Sequence, residues 1–160
     1  MDKAEIYSIL ESVKDPEIPV LSIADLGILR NIEINEAGTY IVTITPTYSG
    51  CPAMDTIEQD IKKILSENGI EAVIKTTLSP AWTTDWLSEK GRKNLEEYGI
   101  APPAEATTDK SFLTGSHKSI RCPQCKSLNT RMVSHFGSTA CKALYKCDDC
   151  MEPFDYFKCI

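Results

Sequence analysis

Cys122-Pro123-Gln124-Cys125 and Cys147-Asp148-Asp149-Cys150 are the residues of this chain readiest to do chemistry. A Cys-x-x-Cys turn is a tight knuckle that aims two sulfurs at one point. Two knuckles brought together supply the four-thiolate tetrahedron that zinc takes at about 2.3 Å. Twenty-one residues separate the pairs, just beyond the usual spacing of such ribbons. The pattern predicts one closed, structural zinc site on Cys122, Cys125, Cys147 and Cys150. A rubredoxin-like iron or a cluster stays open, because the ligand set alone does not choose the metal.

Three of the seven cysteines are left over: Cys51, Cys141 and Cys159. Cys51 lies in Thr45-Pro46-Thr47-Tyr48-Ser49-Gly50-Cys51-Pro52, between a strand and a helix. Proline favours the first helical position, which makes Cys51 the N-cap. Unpaired amides and the positive end of the helix dipole favour thiolate there, so a lowered pKa and a reactive thiol are expected. Asp15, Glu17 and Asp25 are acidic and flank prolines or a strand start; they can cap, or they can orient a metal near Cys51. Cys141 reads either as a packed turn cysteine or as a second thiol near the zinc site. Cys159 is penultimate, and His117 and His135 receive no role.

Cysteine density without an apolar leader points to a reducing compartment, and metal or catalytic use outranks disulfides there. The expected location is cytoplasmic, with no membrane span. Of the net charge of −6, the first hundred residues carry −8 and the last sixty +2. That is not the basic footprint of a nucleic-acid binder.

The elements that must position these residues follow from periodicity. Ile6, Ile9, Leu10 and Val13 form one helical stripe; Pro16 and Pro19 then hold an extended loop. Ile28, Ile32 and Ile34 line one face of a strand, Asn35–Gly38 turns, and Tyr40, Val42 and Ile44 line the next. Met54, Ile57, Ile61, Ile64 and Leu65 mark a second helix closed by Asn68-Gly69, and 70–76 is a third strand. One further helix is expected over 84–98. The whole is α+β: a small two-layer domain over residues 1–100 (core 1–78), a linker at 101–117, and a ribbon at 118–160 whose strands are 130–136, 142–146 and 152–157. About forty residues with few apolar side chains need the metal to fold.

Asp15-Pro16-Glu17-Ile18-Pro19-Val20-Leu21-Ser22-Ile23-Ala24-Asp25-Leu26-Gly27, together with Thr45-Pro46-Thr47 and Cys51-Pro52, resembles the iron–sulfur cluster assembly (FSCA-type) domain family over about residues 1–78. Leu78-Ser79-Pro80-Ala81-Trp82, Gly99–Pro103, Phe136–Lys142 and the ending Glu152–Ile160 resemble one branch of it: the D proteins of bacterial phenylacetyl-CoA 1,2-epoxidase systems. The resemblance implies an accessory protein of a multicomponent oxygenase in aerobic phenylacetate catabolism, not its catalytic subunit. The leading reading is maturation, in which iron or an iron–sulfur cluster passes transiently through Cys51, with Asp15, Asp25 and Cys141 as candidate supporting residues. The implied partners are the epoxidase subunits or reductase and the iron–sulfur assembly machinery, with a homodimer left open. The chain agrees in having no Glu-x-x-His pair for a di-iron site and no flavin or dinucleotide fingerprint. Two other readings stay open: a structural, protein-interaction subunit, and a thiol redox protein using Cys51 and Cys141.

Overall fold

The computed structural model describes residues 2–103 and 119–158. Its contacts divide the chain into two compact units, Met1–Gly91 and Arg92–Ile160.

The first unit opens with α1, Lys3–Leu10. Asp2 caps it through a reciprocal box: Glu5 N donates to Asp2 Oδ1 at 2.8 Å, and Asp2 N donates to Glu5 Oε2 at 2.7 Å. Ile6 and Leu10, one helical turn apart, are the residues it buries. Strand β1 (Leu29–Ile34) pairs antiparallel with β2 (Tyr40–Ile44) through a turn held by Asn35, whose Oδ1 accepts from Ala37 N and Thr39 N. Helix α2 (Ala53–Glu67) then crosses over to β3 (Ala72–Thr76), which lies parallel to β2. The sheet order is β1-β2-β3. A parallel neighbour needs such a crossover, and a helix supplies it. α2 buries Ile57, Ile61 and Leu65 at successive turns, and α1 packs on α2 and β1. The expected helix–strand–strand–helix–strand order is therefore present, as an α+β layer.

Two expectations about this unit change. Ile34, the last residue of β1, is 50% exposed although it follows the buried Ile32 in regular register, and the register shift between Leu29 and Asn31 instead lets Leu29 and Ile32, three residues apart, both be buried. The single helix expected over 84–98 is two elements: a 3-10 turn, Thr84–Trp86, and α3, Glu89–Tyr98. Leu87 is extended between them, and Ser88 restarts the helix by accepting from Gly91 N at 2.9 Å.

The second unit is a four-stranded sheet in the order β4-β7-β6-β5. These strands are β4 (Ile100–Ala101), β5 (Thr130–Ser134), β6 (Lys142–Cys147) and β7 (Pro153–Phe157). β5, β6 and β7 run antiparallel in sequence, while β4 adds to β7 in parallel. Its central cluster is small: Ala101, Ile120, Cys122, Ala143, Tyr145, Cys147 and Phe154, with Leu95, Ile100 and Phe157 also buried. Tyr145 stacks on Phe154 at 5.9 Å and meets Tyr156 edge-on at 5.6 Å. The sequence placed the edge of the first domain at residue 100; the contacts place the division between Gly91 and Arg92. The physical reason is that β4 is a strand of the second sheet, and Glu96 of α3 pairs with Lys126 beside the first knuckle. Most of the expected linker, like His117 and Cys159, lies outside the described residues. Among the described residues no helix is long and apolar enough to cross a membrane.

Candidate metal centre and the Cys51 loop

The knuckles are built alike. Cys122 N donates to Ser127 O at 2.9 Å, and Cys147 N donates to Glu152 O at 3.0 Å. The residue after the second cysteine of each, Lys126 and Met151, has φ of 65° and 64°. That left-handed turn is what folds each pair back on itself, and neither position is the glycine that usually eases it. The second knuckle is fastened to the strand opposite. Ser127 Oγ and Asn129 Nδ2 both donate to Asp149, and Arg131 Nε meets Asp148 Oδ1 at 3.1 Å. The Ser127 and Asn129 bonds hold the Asp149 carboxyl below its ordinary value. Sequence reasoning gave these residues no role; polar types inside and just after the Cys-x-x-Cys motifs were the available signal.

The four sulfurs of Cys122, Cys125, Cys147 and Cys150 lie within 4.8 Å of one another. Across the knuckles, Cys125 and Cys147 are 3.5 Å apart and Cys122 and Cys150 3.7 Å. A tetrahedron with metal–sulfur bonds of about 2.3 Å has edges of about 3.8 Å, so the residues fit such a group. Backbone amides already point at the sulfurs: Ser127 N at Cys125, Cys150 N and Asp149 N at Cys147, and Glu152 N at Cys150. Such N–H···S bonds offset the charge that four thiolates gather around one divalent ion. Cys122 and Cys147 are buried, Cys150 is half-buried, and Cys125 is exposed.

Cys51 is half-buried at the start of α2. The N-cap is Pro52, one residue later than expected, and no side chain caps the helix. Ala53 N and the Tyr48 hydroxyl still donate to the Cys51 sulfur. The thiol is nevertheless pushed up, not down. Burial is the largest cause; it outweighs the Ala53 and Tyr48 bonds, and the Glu17 and Asp15 carboxylates add to it. The thiolate expected from the helix dipole alone is overruled by burial among acidic neighbours. Tyr48 is a contact that spacing did not reveal.

Of the acidic residues, Asp15 and Glu17 belong to the electrostatic surroundings of Cys51. Asp15 Oδ1 also accepts from Glu17 N at 2.7 Å and Ile18 N at 2.9 Å, which shapes the loop. Asp25 is engaged elsewhere, by Ser22 Oγ at 2.8 Å and Ser88 Oγ at 2.9 Å. Thr45, which opens the loop carrying Cys51, is 1% exposed and its Oγ1 has no hydrogen-bond partner among the described residues.

Cys141 belongs to the second unit. It is 3% exposed, 3.0 Å from Thr139 Oγ1, and its carbonyl accepts from Lys158 N at 2.9 Å. It precedes β6 and Cys147 ends β6, so at roughly 3.3 Å per residue the two lie about 20 Å apart. Cys141 is therefore not a second thiol near the four-sulfur cluster. Lys158 is buried beside it: burial pushes the lysine down, and the Cys141 sulfur opposes that.

Comparison with known proteins follows the same division. Residues 3–75 match the family model described as iron-sulfur cluster assembly protein, and residues 106–158 match the PaaD zinc beta ribbon domain. The chain is 48% identical, over 98% of its length and 92% of the relative, to an Escherichia coli protein that bears the name of a 1,2-phenylacetyl-CoA epoxidase D protein. It belongs to this D-protein family. A Porphyromonas gingivalis Fe-S protein maturation auxiliary factor is 39% identical over 57% of the chain and 88% of that protein. A crystal structure of a domain of unknown function, DUF59, from Bacillus anthracis superposes with a TM-score of 0.54 at 30% identity, covering 58% of the chain and 90% of that structure. Those two relatives span little more than half of this D-protein family member, whereas the ribbon model matches its C-terminal third.

Proposed function

We propose that this chain is a non-catalytic maturation factor: it takes up iron or an iron–sulfur cluster at Cys51 and passes it to components of a phenylacetyl-CoA epoxidase system or its reductase. The observation that carries the reading is the setting of Cys51. The thiol is held protonated by burial and by Glu17 and Asp15. The same negative surroundings that disfavour a bare thiolate favour an arriving cation, which displaces the proton and gains the carboxylate field. Among the described residues, the one group of three or more His, Cys, Asp or Glu whose ligand atoms converge is the ribbon quartet. The match to a zinc beta ribbon supports zinc as the resident ion of the quartet, and Cys51 is then a station for cargo. The unpartnered Thr45 hydroxyl marks the same loop as one built with a polar group to spare. The name of the Escherichia coli relative supports the oxygenase context, and those of the maturation factors support the delivery role.

A second reading, a structural subunit in which Cys51 only packs, is favoured by the same raised thiol. One experiment separates the two. Epoxidase components are produced together with the Cys51→Ala chain, and their iron and labile sulfide are measured. The maturation role requires both to fall at least several-fold. Normal metal content with normal epoxidation sinks it, and normal metal content with lost activity favours the structural reading.

A further inference from the structure

Cys125 combines two properties that the other described cysteines do not share: it is a member of the four-sulfur cluster, and it is exposed. Cys122 and Cys147 are buried within that cluster, and Cys150 is half-buried. Outside it, Cys141 is buried and Cys51 half-buried. An oxidant arriving from solvent therefore meets Cys125 first. A metal-bound sulfur is a thiolate at neutral pH, where a free thiol is mostly protonated, and oxidation follows thiolate character and access. Amide bonds quench nucleophilicity unequally: Cys147 receives two, from Cys150 N and Asp149 N, while Cys125 receives one from Ser127 N. A resolving sulfur stands ready, since Cys147 lies 3.5 Å from Cys125 across the knuckles.

We propose that the ribbon is a peroxide-responsive switch, in which Cys125 is oxidised first and Cys147 resolves it, with release of the metal. The proposal rests on the reading of the quartet as a metal site. In the first step the Cys125 thiolate attacks one oxygen of hydrogen peroxide. A sulfur–oxygen bond forms, the oxygen–oxygen bond breaks, and hydroxide leaves; the sulfur has lost two electrons and peroxide has gained them. In the second step the Cys147 thiolate attacks the Cys125 sulfur. The disulfide forms, the sulfur–oxygen bond breaks, and a second hydroxide leaves. Two thiolates and one peroxide have become one disulfide and two hydroxides. Cys122 and Cys150 alone do not hold the ion. Cys122 and Cys147 are also part of the small core of this unit, so loss of the ion loosens the whole ribbon. A chemical signal of oxidative conditions thereby becomes a change of shape in the unit.

The test uses the full chain loaded with zinc. Its zinc content is measured first; a stoichiometry far below one ion per chain overturns the underlying metal reading, and this proposal with it. Hydrogen peroxide is then added in stepwise equivalents, free thiols are trapped with N-ethylmaleimide, released zinc is followed with a chromogenic chelator, and disulfides are mapped by mass spectrometry. The expected result is release of one zinc per peroxide, with Cys125–Cys147 as the first disulfide and full reversal by dithiothreitol and zinc. Cys125→His keeps a fourth zinc ligand and should release zinc at least tenfold more slowly. A first disulfide between Cys122 and Cys125, first oxidation at Cys51, or equal release from Cys125→His overturns the proposal while leaving the metal site standing.

Discussion

Asp25 accepts from Ser22 Oγ at 2.8 Å on one oxygen and from Ser88 Oγ at 2.9 Å on the other, residues sixty-three apart in the second case. Its own carbonyl accepts from Ser88 N at 2.9 Å. Burial would raise this carboxyl, but the Ser22 and Ser88 bonds and the Lys90 charge prevail and hold it below its ordinary value. A depressed carboxylate contributes stability that is complete above the unfolded pKa of about 3.9 and is lost as pH falls through the folded value. Asp25→Asn keeps the shape but offers one acceptor where two are used. It should cost about 1.5–3 kcal/mol at pH 7, the range for hydrogen bonds to charged groups. Melting followed by circular dichroism between pH 2.5 and 7 checks this: the gap between parent and variant should be constant at pH 5–7 and close below about pH 3.9. A gap that persists undiminished at pH 2.5 would show that the charge of Asp25 is not what holds the segment.

The segment that Asp25 fastens at Ser88 is also held two residues earlier, at Trp86, by a glycine. Gly27 has φ of 72°, and a Cβ built there would stand 2.6 Å from Trp86 O and 2.5 Å from Trp86 Cβ. Arg30 lies over the Trp86 ring at 3.4 Å, and Trp82 Nε1 donates to Leu26 O at 2.8 Å. Two tryptophans therefore close on the loop Leu26–Arg30, and Gly27 is the point where the backbones touch. Gly27→Ala meets both a left-handed strain and a backbone clash that no rotamer relieves, so a loss of about 2 kcal/mol or more is expected. A red shift of tryptophan emission with the lowered melting midpoint would show that the clasp opens; an unchanged spectrum would place the damage elsewhere. This clasp was not legible in the sequence, because it joins positions about sixty residues apart and breaks the helix expected over 84–98. What was legible obeyed local rules: the stripes of Ile6/Leu10 and Ile57/Ile61/Leu65, the Asn35–Gly38 turn, and the strands between the knuckles. β4 escaped because two residues carry no periodicity. At Cys51 the position was legible, but the direction of its titration was not, since the dipole is a local effect while burial, and after it Glu17 and Asp15, act on the thiol through the fold.

The two units differ in what holds each together, and metal removal should separate them. The first buries Ile6, Leu10, Leu21, Ile23, Leu26, Ile44, Ile57 and Ile61 completely, a core of branched aliphatics that needs no ion. Among the described residues the second buries one cluster of seven, of which Cys122 and Cys147 are themselves members of the quartet, with Leu95, Ile100 and Phe157 buried besides. Structural zinc is worth about 10–16 kcal/mol to small metal-folded peptides, comparable to or above the whole stability of a typical domain of about 5–15 kcal/mol. Removing the proposed ion should thus take away a large stabilising contribution to the second unit and leave four crowded thiols in its place. Hydrogen exchange on the full chain, with and without a strong chelator, reads both units at once. Amides of β5, β6 and β7 should lose protection by at least a hundredfold, while those of β2, β3 and α2 change by less than threefold. Uniform loss across the chain would mean that the units fold as one cooperative body. Retained protection in β6 would mean that Tyr145, Phe154 and Tyr156 suffice to hold the ribbon, and that the four cysteines serve something other than its stability.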